Sequence, residues 1–332
     1  MDCEVYGDIV ACLPQGRTLF AYERDHYAVH LLDYLLAAGW SAQRLRSSPF
    51  ARLLEKPPVR EILATTGRAD FSRRHLALAF MRDPVIWRLT VGRWEAERRY
   101  QFRQTSRRGS NIVLQLNFTA QHNHAFRELL SPTGATIFAV DGHPVSTREH
   151  TMAWSRIDLD LDTGEALIEE VQCDWVRQAR RAATYPRHFH RRNATTDETG
   201  DRIYPRERFE AGVKTYYDKV LPRYADGWEE TIMAATLFFI VRELGIRTIY
   251  MHAFDTGNAL KHITGRWDGK PPRSLYTDLP RRFCFSLGTE GPTFLSAEIA
   301  RIARGKHRVP VNFWRLRLGN DTVQQLPPSR IP

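Results

Sequence analysis

The stretch "ALIEEVQCDW", residues 166–175, begins apolar and turns acidic. Glu169 and Glu170 stand inside what reads as a core strand, and Gln172, Asp174 and Trp175 follow. Charged side chains are seldom buried unless they are paired or put to use. Carboxylates crowded in an apolar setting lose hydration and repel one another, which can poise one of them as a general base. Strand alternation sorts the stretch into two faces. Ala166, Ile168, Glu170, Gln172 and Asp174 fall on one, and Leu167, Glu169, Val171 and Cys173 on the other. Three polar groups converge at the end of the first face, while Glu169 is left among apolar neighbours that would raise its pKa. Structural pairing with nearby arginines accounts for the same carboxylates equally well.

Other chemistry-bearing residues lie downstream. Tyr250 and His252 share one face of a strand predicted over 247–253, and Asp255 follows at its carboxyl end, where ligands sit in open α/β layers. A hydrogen-bonded core pair is the competing reading. Tyr276 is a further candidate acid. His188 and His190 in "RHFHRR", and His122 and His124 in "HNHAF", have a spacing that a strand could turn toward a metal. No acidic or cysteine ligand stands beside them, so a solvated basic loop is the simpler account and no metal is expected. The four cysteines show no CxxC spacing, which argues against a zinc ribbon or a dense disulfide framework. Arginine interleaved with aromatics, as in "RRYQFRQTSRRG", suits either a nucleic-acid strand or an exposed hairpin.

The elements that must position these residues follow from periodicity. Residues 1–84 read as a helical N-terminal region, with helical spacing in "YERDHYAVHLLDYLLAAGW" and breaks at Pro57 and Pro58. From residue 85 the texture becomes β-rich: "VIWRLTVGRWE", "RRYQFRQT" and "SNIVLQLNF" read as strands. "TMAWSRIDLDL" and "EALIEEVQCDW" form a hairpin through "DTG", and strand 166–172 is expected to pair on its other side with 246–252. Residues 177–225 are an arginine-rich excursion with short helices, read as the mobile or substrate-facing part. "DGWEETIMAATLFFIVRELG" is a buried helix over 228–244, with Asp226 as cap, Glu229 three residues on and Gly245 at its end. "RRFCFSL" and "VNFWRLRL" close the chain as strands. The order gives an α+β domain over 85–332, with a mixed, mostly antiparallel sheet flanked by helices.

Within this order, "IEEVQCDW" resembles the "EEIQSDW" signature of domains in large polyvalent proteins of phages and mobile elements. In those domains a Trp-led amphipathic helix and a strand come next, as Trp228, Glu229 and "GIRTIYMHA" do here. The same order is similar to the core of GNAT-type N-acetyltransferases, over residues 166–264. That resemblance implies acetyl-CoA or another acyl donor, its phosphates at the start of helix 228–244 near Arg223, Gly227 and Trp228. Asn258 and Ala259 echo a later family element. The family's glycine-rich phosphate loop is replaced by "LPRYADGWEET", where Gly227 alone remains.

Bulk composition sets the outer limits. The chain has 332 residues and a formal charge of +10 carried mostly by arginine, which suits an anionic ligand or nucleic acid, or simple solubility. The longest apolar run is too short to span a bilayer and the N-terminus does not read as a signal peptide, so no membrane role and a cytoplasmic, reduced setting are expected. The leading expectation is an acyl- or aminoacyl-type transferase acting on an amine. Glu169 or Glu170 would be its base, beside Gln172 and Asp174, with Tyr250, His252 or Tyr276 as acid. The rival is a non-catalytic nucleic-acid- or partner-binding protein of mobile-element origin. Glu170, Gln172 and Asp174 are expected in one pocket near His252.

Overall fold

Runs of β-branched and aromatic residues build one sheet of eight strands. The computed structural model describes residues 1–14, 18–66, 71–95, 104–131, 136–140, 142–193, 205–263, 271–304 and 310–319. The strands are β1 (Thr18–Tyr22), β2 (Val85–Glu95), β3 (Ser110–Asn117), β4 (Thr151–Asp160), β5 (Glu165–Gln172), β6 (Thr248–His252), β7 (Ser286–Gly288) and β8 (Phe313–Arg317). Their order across the sheet is β1-β2-β3-β4-β5-β6-β8-β7. All neighbours are antiparallel except β5 and β6. The protein is thus an α+β fold with a mixed, mostly antiparallel sheet.

The helices are α1 (Cys3–Cys12), α2 (Tyr27–Ala37), α3 (Ala42–Arg46), α4 (Pro57–Thr66), α5 (Arg73–Leu76), α6 (Ala120–Leu129) and α7 (Trp175–Thr184). There follow α8 (Pro186–Asn193), α9 (Arg206–Thr215), α10 (Pro222–Ala225), α11 (Trp228–Phe238), α12 (Phe254–Leu260), α13 (Asp278–Arg282) and α14 (Ser296–Arg304). Among the described residues no helix is long and apolar enough to cross a membrane. The region 1–84 is not wholly helical: "TLFAY" forms β1, which pairs with β2 at the edge of the sheet. Leu31, Leu32 and Leu35 of α2 join the same core as Ile112, Ile157 and Ile249.

The two faces of the sheet differ in chemistry. Ile112, Leu114, Ile157, Ala166, Ile168 and Val171 lie in the main core, where α11 packs against β3, β4 and β5. The opposite face is mixed, with Leu167, Tyr250 and Phe313 in a small apolar cluster and polar residues beside it. Register sets Thr90 beside Gln115, Gln115 beside Trp154, and Arg156 beside Glu170. The "DTG" hairpin forms as expected, its turn closed by Asp160 Oδ1 accepting from Thr163 N at 2.9 Å and by Gly164 at φ 65°.

The described residues of the excursion 177–225 are largely helical. Trp175, Ala179 and Ala182 of α7, Phe209 and Val213 of α9, and Tyr216 and Tyr224 are buried in the main core. The sequence reading missed α6, which takes up "HNHAF". His122 is buried there, stacked on Phe118 with ring centroids 3.5 Å apart, and its Nε2 meets Tyr216 Oη at 2.9 Å. His188 and His190 ride on helix α8, not a strand, with His190 turned inward. The proposed strand "RRYQFRQT" lies mostly outside the described residues, and "RRFCFSL" yields α13 and only the short β7.

Candidate functional site

The alternation expected for β5 breaks at its centre. Ile168 stands opposite Ile157 and Glu170 opposite Arg156, so Glu169 is an extra residue, a β-bulge. The bulge shifts the phase of the strand. Val171 joins Ile168 in the core, whereas Leu167 packs with Tyr250 on the other face. Glu169 and Glu170, assigned to opposite faces by a regular period, therefore serve one cluster. The parallel pairing of β5 with β6 covers Glu165 to Ile168 against Thr248 to Met251, short of the expected 166–172 with 246–252. Where the two strands cease to pair, Glu169 and His252 meet.

Around that point a buried polar cluster assembles. Glu169 Oε1 accepts from Ser106 N at 2.9 Å, and its Oε2 lies 2.9 Å from Ser106 Oγ and 3.0 Å from His252 Nε2. Ser106 Oγ is 2.8 Å from the same His252 nitrogen. Lys261 Nζ donates to the backbone oxygen of Glu169 at 3.1 Å. Arg156 Nε donates to Glu170 Oε2 at 2.7 Å, and Arg156 Nη2 donates to the backbone oxygen of Gln104 at 2.8 Å. The Tyr276 ring lies 5.7 Å from Lys261 Nζ, with Trp314 Nε1 holding the Tyr276 carbonyl at 2.8 Å. Ser106, Glu169 and His252 have no exposed surface, and Arg156, Tyr276 and Lys261 have 1–3%.

The electrostatics of the cluster separate its members. Burial alone would raise Glu169, but His252, Lys261 and Arg156 bring it down to about 2. Burial also opposes ionisation of Glu170, and Arg156 and Lys261 reverse this, leaving its pKa lowered. Burial lowers His252 despite Glu169, and lowers Lys261 despite the two glutamates. Tyr276 is pushed well above its usual value by burial and by Glu170, so its phenol stays protonated. A neutral His252 beside an ionised Glu169 carries its proton on Nε2, facing Ser106 and the carboxylate, and offers an unprotonated Nδ1. Among the described residues, three polar atoms here are buried without a partner: His252 Nδ1, Arg156 Nη1 and Tyr276 Oη. Asn111 Oδ1 and Trp154 Nε1, on the same sheet face, are likewise unpartnered. Buried polar atoms are normally satisfied, so these atoms are open to a hydrogen bond from a bound group or water; a second such set, His26 Nδ1 and Nε2, His30 Nε2 and Tyr34 Oη, lies around α2.

The remaining predicted residues are distributed elsewhere. Gln172 and Asp174 do not join Glu170 near His252. Gln172 Nε2 donates to Asp174 Oδ1 at 3.2 Å, and Asp174 also bonds His143 Nδ1 and Arg177. Gln172 lies one pleat beyond Glu170, opposite Trp154, and Asp174 caps α7 past the end of β5, so this second cluster stands apart, with Trp154 edge-on to His143 at 5.4 Å. Tyr250 Oη reaches Glu165 at 3.4 Å instead of the His252 cluster. Asn258 is half-buried in α12. Trp228 is half-buried against the core.

The start of α11 has its own chemistry. Gly227, at φ 73°, is the N-cap in place of Asp226. Arg223 makes a two-pronged pair with Asp83 at 2.7 and 2.8 Å. Glu230 accepts from Tyr22 Oη and Asp25 N, each at 2.7 Å, and from Arg282 at 3.2 Å. The adjoining cavity of about 340 Å³ is lined by the acids Glu23, Asp83, Asp226 and Glu230 and by the bases Arg24 and Arg223. That lining carries more acid than base and gives no support to a pyrophosphate role for Arg223 and Gly227.

Sequence reasoning missed Ser106, Arg156, Lys261 and His143. The signal for Arg156 was present, as a lone cation inside the apolar alternation "TMAWSRIDLDL". Ser106 and Lys261 carry no such mark, because only the fold brings them to β5. No family model, curated protein or solved structure matches this chain.

Proposed function

We propose that the cluster between β5 and β6 is the catalytic centre of an acyl- or aminoacyl-type transferase acting on an amine, with His252 as its base. The observation that carries this reading is the trio of unpartnered polar atoms, in a buried charged cluster at the carboxyl end of a parallel strand pair. Glu169 and Glu170, with lowered pKa values, are weak bases near neutrality. His252 Nδ1 is the free basic atom, and Glu169 with Ser106 fixes the tautomer.

In this reading the acceptor amine attacks the donor carbonyl and gives its proton to His252 Nδ1. The carbonyl oxygen gains the displaced electron pair and is met by Tyr276 Oη–H and Arg156 Nη1–H. The tetrahedral adduct then expels the donor's thiolate or alkoxide, which takes the proton from His252. Segment 104–107 borders the centre, held by Arg156 on Gln104, Glu169 on Ser106, and Arg107 on Asp158 at 2.7 and 3.0 Å.

The test is transfer of labelled acyl groups from a panel of thioester and aminoacyl-ester donors to small amines. We expect His252→Asn to lower the rate by about 10²–10⁴-fold, as loss of a general base does, in a variant that melting curves show to be still folded at the assay temperature. Absence of transfer from every donor, or full activity in the variant, would remove the assignment.

A further inference from the structure

We propose that the outer face of α7 and α8 binds single-stranded nucleic acid, a role separate from the transfer chemistry above. Residues 175–190 contain four arginines, two histidines and no carboxylate. The fold sorts this stretch by face: α7 buries Trp175, Ala179 and Ala182, and turns Arg177, Arg180 and Arg181 to solvent. At the corner between the helices, Tyr185 is 66% exposed. Beyond it Arg187 and His188 are exposed, while Phe189 and His190 point inward. The side chains of Arg191 and Arg192 lie outside the described residues.

The charges on this face are not balanced within the protein. Arg177 pairs with Asp174, and Arg187 stands 3.8 Å from Glu210. Arg180 and Arg181 have no carboxylate partner among the described residues. They sit three and four residues from Arg177, a spacing at which like charges on a helix repel. An external polyanion would relieve that repulsion. Neutralising arginines supply the affinity, and an exposed tyrosine among them supplies a stacking face for an unpaired base, which a duplex would keep hidden. Pro186 starts α8 immediately after Tyr185 and sets the corner that presents the ring.

The full chain is titrated into labelled oligo(dT), duplex DNA and vesicles of anionic lipid, with anisotropy or co-sedimentation as readout between about 50 and 200 mM salt. We expect binding to oligo(dT) that falls with salt. The double variant Arg180→Ala/Arg181→Ala should reduce the slope of log K against log salt by about 1.4, or about 0.7 for each phosphate no longer neutralised. Lysine at both positions should restore it. Tyr185→Ala should weaken binding about tenfold at an unchanged slope. Arg60→Ala on α4 should change nothing. The inference fails if oligo(dT) is not bound, if the double variant keeps the full slope, or if Tyr185→Ala is neutral. Equal or tighter binding to duplex or vesicles would also overturn it.

Discussion

Glu169 and Glu170 are adjacent and chemically identical, yet their partners give them different work. Glu170 balances Arg156 inside the protein, so its replacement by Gln leaves a buried guanidinium poorly compensated. We expect Glu170→Gln to cost about 3–5 kcal/mol in urea denaturation. Arg156→Met alone should cost a similar amount, and the combination clearly less than the sum. Additive losses would mean that the pair is not coupled. Glu169 instead holds Ser106 and His252. The carboxylates, His252 and Tyr276 were legible in the sequence because polar residues stand out against apolar runs. Their partners were not, because Ser106 and Lys261 sit in segments whose position depends on tertiary contacts.

Two glycines show how the elements around the site are constrained in different ways. At Gly227 the space is open, with nothing within 4 Å of an added Cβ, but φ of 73° is a conformation that favours glycine. At Gly257 in α12 the backbone is ordinary, but an added Cβ would lie 2.8 Å from His252 Cβ. Gly227→Ala should therefore cost about 1–2 kcal/mol through backbone strain alone. Gly257→Ala should cost about 1–3 kcal/mol through overpacking and also displace His252. Chemical shifts of the His252 ring separate the two: we expect them to move in Gly257→Ala and to stay in Gly227→Ala. The hairpin and the Gly245 stop were readable because "DTG" and a terminal glycine are local signals. The bulge was not, since it exists only relative to β4. Reading β5 as regular put Glu170 on the core face with Ile168 and Val171 on the opposite one, whereas the bulge at Glu169 exchanges them.

At the scale of the whole molecule, acid should act on stability through groups that share one sign. Burial lowers His122 to about 3 and His30 to about 4, and lowers His26 and His252 in the same direction. Each is neutral in the fold, whereas the unfolded chain takes up its proton near pH 6.5. Their stabilisation is therefore complete above about pH 6.5 and falls as the pH drops toward the folded values. Glu169, held near 2 by its bond from His252 and by Lys261 and Arg156, adds stability above about pH 4.5 that is lost as pH falls toward 2. Protonation also adds charge to a chain already at +10, which increases its self-repulsion. None of these contributions offsets another, so the melting temperature should decline steadily below pH 6.5. His122→Phe isolates one contribution. The ring can keep its stack on Phe118, and Tyr216 Oη keeps the bond from Trp175 Nε1 at 2.6 Å. The variant should melt close to the parent at pH 7.5 and show a shallower loss between pH 6.5 and 4. A slope equal to the parent's would show that His122 is not a source of the acid sensitivity.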